Sequence, residues 1–135
     1  MLERSCGTIP YTVKNGQIFY LLVQTGDDGV CGFPKGHMEG KETEIETAFR
    51  ETWEEASVKP RIDPGFRYEI TYHMRNGNDK TVVYFPGNFG EQTPSHNPGF
   101  ERFRYHLLPF EKAFAMLTFD NAKAMLKAAN DYLTK

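Results

Sequence analysis

The sequence predicts an α+β fold, a sheet of hairpin-joined strands packed by a few helices. Three observations carry this. Two pairs of β-branched and aromatic runs are each separated by a turn signal, a central helical stretch has an apolar stripe and a carboxylate stripe, and two further helical stretches close the chain. In order, residues 5–13 and 17–24 (QIFYLLVQ) read as strands joined by Lys14-Asn15-Gly16, because Asn-Gly suits the positive φ of a two-residue hairpin turn. Residues 25–32 form a Gly/Asp-rich loop, and a helix runs from Glu42 to Ala56. Residues 66–74 (FRYEITYHM) and 80–86 (KTVVYFP) read as a second hairpin across Arg75-Asn76-Gly77-Asn78. A loop rich in Pro, Gly and Asn covers 87–99, and a strand lies near Arg102–Leu108. Pro109 suits the first turn of a helix through Leu117, and Asp120 is expected to cap a last helix through Leu133.

Composition narrows the class. The 135 residues are most simply one domain, 1–135, with 39% hydrophobic content and ordinary charge, as in globular chains. A net charge of −2 without any Lys/Arg run argues against a nucleic-acid partner. Cys6 and Cys31 make neither a metal pattern nor a disulfide framework and are expected as reduced thiols. No signal peptide and no membrane-length apolar run is read, so a cytoplasmic location is expected and no membrane partner. Oligomeric state is left open.

The most informative stretch is Gly36 to Val58, GHMEGKETEIETAFRETWEEASV. Glu51, Glu54 and Glu55 fall at i, i+3 and i+4, on one face of a helix within a turn. Such close carboxylates repel by a few tenths of a kcal/mol per pair, and hard cations such as Mg²⁺ or Mn²⁺ require clustered oxygens of this kind. Ile45, Ala48, Phe49, Thr52 and Ala56 gather on another stripe, expected to pack on the sheet, with Trp53 at its margin and also expected in the core.

The stretch resembles the Nudix box, G-x5-E-x7-R-E-U-x-E-E-x-G-U, with U aliphatic. Gly36, Glu42, Arg50, Glu51, Glu54 and Glu55 match six of its seven non-U positions. At roughly 7% per residue, six matches at a chosen start have a probability on the order of 10⁻⁷. Thr52 departs from the aliphatic preference and Ser57 from Gly. The resemblance implies an α/β/α sandwich around a mixed sheet and hydrolysis of a nucleoside diphosphate linked to another group. It also implies a metal shell of Glu51, Glu54 and Glu55 joined by the backbone carbonyl of Lys35.

The box residues have physical roles. Gly36 permits a tight turn and close approach to a ligand. Glu42 supports the loop or helix start through backbone hydrogen bonds. Arg50 can hold a catalytic glutamate by a charge-assisted bond. Ser57 stands where the helix ends and a left-handed residue is wanted, at a cost of about 1 kcal/mol. In the implied reaction, Mg²⁺ (with Mn²⁺ as substitute) withdraws charge from phosphate oxygens, and an activated water attacks one phosphorus in line. The general base comes from the box helix (Glu51, Glu54) or from a later loop, where Glu101 is the candidate.

The flanks suggest the substrate. Ser5-Cys6-Gly7, Phe33-Pro34-Lys35-Gly36-His37-Met38-Glu39, and Phe66 to Tyr84 with Tyr72, Arg75, Lys80-Thr81-Val82 and Tyr84 resemble the diadenosine tetraphosphate hydrolases of the Nudix group. So does Glu101 with Tyr105 and Pro109-Phe110-Glu111-Lys112-Ala113, with Leu107 in place of Trp. The resemblance implies cleavage of diadenosine tetraphosphate to ATP and AMP. Lys35, His37 and Lys80 are then candidate polyphosphate contacts, and Tyr72 and Tyr84 candidate adenine contacts, since base stacking on a ring contributes roughly 1–3 kcal/mol. Each also has a plainer reading: a loop residue, solvated lysines, core tyrosines. Cys31 stands where many relatives have Trp, which opens the rim beside the box loop. The alternative is a Nudix pyrophosphatase for a nucleoside triphosphate, nucleotide sugar, inositol polyphosphate or capped RNA end; a non-catalytic nucleotide sensor fits less well, since the box glutamates are intact.

Overall fold

The structure, a computed structural model, describes residues 2–26, 29–73, 75–100 and 102–135. Strands β1 (Leu2–Lys14) and β2 (Gln17–Thr25) pair antiparallel through the expected turn, in which Asn15 (φ 52°) and Gly16 (φ 77°) both take positive φ. Two short strands follow, β3 (Cys31–Gly32) and β4 (Lys35–His37), then helix α1 (Glu44–Ala56) and β5 (Arg61–Ile62). The second hairpin is β6 (Tyr68–His73) and β7 (Asp79–Asn88), and the chain closes with β8 (Phe103–Pro109), α2 (Phe110–Met116) and α3 (Asp120–Leu133).

The sheet runs β3-β2-β1-β7-β5, with β4 also on β1, β6 on β7 and β8 on β2. β1 and β7 pair in parallel, while the other described pairs are antiparallel, so the sheet is mixed. Alternation along the strands divides the core between its two faces. Val82 and Tyr84 of β7, with Tyr20 and Leu22 of β2, pack among Ala113 of α2 and Met125, Leu126 and Ala129 of α3. Val83 and Phe85 point the other way, to Cys6 and Ala48, and Leu21 meets Ala56, Val58 and Phe89. Helix α1 covers one face and α2 with α3 the other, as the α/β/α expectation required. Both cysteines are buried free thiols. No helix among the described residues is long and apolar enough to cross a membrane.

Several expectations need correction. Helix α1 begins at Glu44, because Thr43 and Glu46 form a capping box: Thr43 Oγ1 accepts from Glu46 N–H (3.1 Å) and Glu46 Oε1 from Thr43 N–H (2.8 Å). Asp120 does not cap α3 but opens it; Phe119 holds the cap position without a side-chain bond. The short strands β3, β4 and β5 carry too few residues to show a period and went unread.

The α1 stripe is the largest difference. Its buried residues are Thr47, Ala48, Thr52 and Ala56, whereas Ile45, Phe49 and Trp53 are 37–40% exposed. The helix is rolled toward its carboxylates, which face β4, and small residues let it lie close on β1. Thr52 Oγ1 donates to Ala48 O (2.8 Å), so the neighbouring Thr8 hydroxyl donates to Thr52 Oγ1 (2.7 Å). This buried pair explains a hydroxyl where an aliphatic residue was expected. Trp53 instead lies under the Lys59 ammonium, 5.3 Å from the ring centroid.

Candidate active site

Arg50 is the hub. Its Nε and Nη2 grip both oxygens of Glu42 (2.7 and 3.0 Å), Nη1 reaches Glu51 (2.8 Å) and Glu54 (3.1 Å), and Nη2 also donates to the His37 carbonyl (2.9 Å). One guanidinium thus ties α1 to the loop before it and orients two of the three clustered carboxylates. Glu42 further accepts from Glu39 N–H and the Thr47 hydroxyl (both 2.9 Å). Those bonds, Arg50's first, hold its pKa down at about 2.

Glu51 sits differently. Its side chain is 12% exposed and packs on Gly36, where any Cβ would collide with the carboxyl group. Gly36 thus leaves the room that the Glu51 carboxyl group occupies. Burial, with smaller contributions from Glu54 and Glu39, pushes the Glu51 pKa up against the pull of Arg50.

Beside these carboxylates opens a cleft of about 300 Å³, with Lys35 and Glu55 among its polar lining and Phe33, Tyr72, Tyr84, Phe103 and Phe119 as its rings. Burial, then the charge of Lys80, pushes the Lys35 ammonium pKa down, while Glu55 and Glu51 oppose the shift. Lys80 pairs directly with Tyr72 across the β6–β7 hairpin. Tyr84 forms part of the wall, 4% exposed, its ring edge-on to Phe33 at 6.3 Å. Phe119, in contrast, is 49% exposed. A larger surface groove, about 490 Å³ beside Lys59, Arg61 and Gln92, contains none of the candidate groups.

The structure thus gathers Lys35, Glu55, Tyr72 and Tyr84 around one cleft; Glu51 and Lys80 act on the Lys35 charge there, and Glu54 joins Glu51 through Arg50. His37 is exposed at the end of β4, and its backbone carbonyl is what the site engages. Glu101 lies outside the described residues. Phe103 and Phe119 were missed, since neither stands in a spacing pattern. Phe119 reaches the rim because Thr118 is latched to Cys31 at both ends: Cys31 N–H donates to Thr118 Oγ1 (2.8 Å) and Thr118 N–H to Cys31 O (3.1 Å).

Whether the site suits a divalent cation can be judged from its donors. Carboxylate and peptide oxygens are the hard ligands Mg²⁺ and Mn²⁺ take, and a largely buried Glu51 crowded by other carboxylates gains from a nearby cation. The residues fit in chemistry. Among the described residues, however, no three acidic, His or Cys side chains converge into a ready cage; Arg50 holds the Glu51 and Glu54 carboxylates instead.

An open mixed sheet between helices, with a carboxylate-bearing helix beside a cleft lined by Lys35, Glu55 and several rings, defines the class: an α/β/α sandwich with an acidic, aromatic cleft. The chain belongs to the NUDIX domain family, whose match spans residues 1–128, and it is a Nudix hydrolase. It is 32% identical to the asymmetrical bis(5'-nucleosyl)-tetraphosphatase of Mus musculus, covering 98% of this chain and 97% of that protein, and 31% identical to the Sus scrofa protein of that name, with the same coverage. Among solved structures, a C. elegans Ap4A hydrolase binary complex superposes with a TM-score of 0.87 at 23% identity over 98% of both chains. The NUDIX domain of Shewanella oneidensis NrtR, complexed with ADP ribose, gives 0.79 at 19% identity over 98% of this chain and 89% of that one.

Proposed function

We propose that this chain, acting as one catalytic domain, is a Mg²⁺-dependent hydrolase of dinucleoside polyphosphates that converts diadenosine tetraphosphate and water to ATP and AMP. The observation that carries the reading is one cleft whose lining joins Lys35 and Glu55, beside the Arg50-held carboxylates, to the rings of Tyr72 and Phe119. A substrate with a long polyphosphate and a purine suits a lining that is both charged and aromatic. The mammalian relatives at 31–32% identity, named asymmetrical tetraphosphatases, support the same substrate.

Glu51, Glu54, Glu55 and the Lys35 carbonyl would hold Mg²⁺, or Mn²⁺ in its place. When bound, the ion withdraws charge from phosphate oxygens and lowers the pKa of a water. Arg50 keeps Glu51 and Glu54 oriented. The Lys35 ammonium and Lys80 neutralise the polyphosphate, with His37 at its edge, and stabilise charge that builds up during displacement. Tyr72 stacks the adenine, Phe119 shields it from the rim, and Tyr84 walls the pocket. A glutamate (Glu51, Glu54 or Glu101) accepts the proton of the attacking water. The new P–O bond forms at the phosphorus four along from one adenosine, the bridging P–O bond breaks, and ATP leaves from AMP.

Product analysis in oxygen-18 water tests this. ATP plus AMP with the label in AMP is expected, and Glu54→Gln should lower kcat by at least about 10²-fold. Absence of turnover of diadenosine tetraphosphate, while dATP or a nucleotide sugar is cleaved, would overturn the substrate assignment and leave the hydrolase class standing.

A further inference from the structure

The end of α1 is electrostatically awkward. Glu54 and Glu55 lie in its last turn, which carries no basic residue, so two carboxylates stand at the negative end of the helix dipole beside carbonyls that lack intrahelical partners. Such a turn frays unless donors from elsewhere reach its carbonyls. Here they come from one neighbouring stretch. Tyr105 Oη donates to Glu55 O (2.7 Å) and shares its proton with Ser95 O (3.0 Å). Ser95 N–H donates to Ala56 O (2.9 Å), and Asn97 Nδ2 adds a bond (3.0 Å) to Trp53 O, which already takes the closing bond of the helix from Ser57 N–H (2.9 Å). Tyr105 therefore fastens both the helix end and the loop that also bonds it.

We propose that Tyr105, with Asn97, is a positioning residue for the hydrolytic site: this clamp keeps the last turn of α1 formed so that Glu54 and Glu55 are presented in a fixed arrangement before any cation arrives. The phenol touches neither substrate nor cation. It acts through the backbone of the turn on which the two carboxylates stand. Without it the turn opens part of the time, and a cation must reorder the turn as it binds. Its apparent dissociation constant then rises by the inverse of the ordered fraction. The inference rests on the metal reading proposed above for these glutamates.

The test uses Mn²⁺ as probe on the full chain, by titration calorimetry, together with amide hydrogen exchange of residues 55–58 in the metal-free protein. Tyr105→Phe is expected to raise the Mn²⁺ dissociation constant about 5-fold, the size expected from one lost neutral hydrogen bond, and to speed exchange in that turn. Asn97→Ala should do the same more weakly. At saturating metal, KM should be unchanged. Tyr132→Phe, which removes a phenol bond to Asp63 (2.8 Å) away from the cleft, controls for general destabilisation and should leave Mn²⁺ binding alone. If Tyr105→Phe lowers thermal stability but binds Mn²⁺ as the parent does, the clamp is merely structural and the proposal fails. If the parent protein binds no Mn²⁺, the metal reading fails, and this proposal with it.

Discussion

At the scale of single residues, Arg50 decides how the acidic cluster is arranged. Its fork sets Glu42 apart from Glu51: one carboxylate fully hydrogen-bonded, the other buried against Gly36. A carboxylate whose folded pKa is depressed contributes stability that is fully present above its unfolded value and is lost as pH falls through the folded one. For Glu42 that window runs from its ordinary value of 4.5 down to about 2. Glu42→Gln should therefore flatten the acid limb of unfolding free energy against pH within that window; an unaltered limb would show that Arg50 contributes nothing through Glu42. Ser57 offers a second prediction. It occupies the left-handed region at φ 56° and ψ 32°, where a Cβ is strained. Ser57→Gly should stabilise the fold by up to about 1 kcal/mol in urea unfolding without changing kcat, and a lowered midpoint would refute the strain. The need for a left-handed residue there was readable from the box position. The bidentate grip on Glu42 was not, because it joins a loop to the second turn of a helix.

At the scale of elements, α1 shows where periodicity reaches its limit. Its start was set by the Thr43–Glu46 capping box, while its end was legible, and so was its carboxylate face. Its roll about its own axis was not, since Ile45, Phe49 and Trp53 are as apolar as any core stripe yet stand at the surface. The roll follows from where Glu51 finds room, over Gly36, and from the small residues that allow contact with β1. The Thr8–Thr52 pair locks the arrangement. Thr52→Val should cost about 1–3 kcal/mol, because it leaves the fully buried Thr8 hydroxyl without its acceptor, and Thr8→Val with Thr52→Val should recover most of that loss. If the double variant is no better than Thr52→Val, the pair is not what holds the helix. The short strands β3 and β4 belong to the same lesson: two or three residues carry no period, yet their pairing to β2 and β1 sets the cleft's rim.

Across the whole molecule, the sheet separates two cores, and the cleft is lined by β2 and β7 together with the end of α1, β4 and the start of α3. The face under α3 holds the larger cluster, so Leu126→Ala should cost about 2–5 kcal/mol, while Phe49→Gln on the outer side of α1 should change stability by no more than about 0.5 kcal/mol. Urea unfolding of both variants checks the division; a large loss from Phe49→Gln would mean that the stripe is buried in solution.

By itself the sequence determined the hydrolase class, the carboxylate helix, both hairpins and the order of the main elements. Each of these is written locally, as a spacing, a turn dipeptide or an alternation, and local physics suffices to read it. Only the tertiary structure decided that Phe103 joins the cleft lining, that Phe119 stands at its rim, that α1 rolls toward β4, and that Tyr105 closes the helix end from 50 residues away. Those depend on contacts between stretches far apart in the chain, where the partner of a residue is chosen by the packing of the sheet and not by its neighbours in sequence.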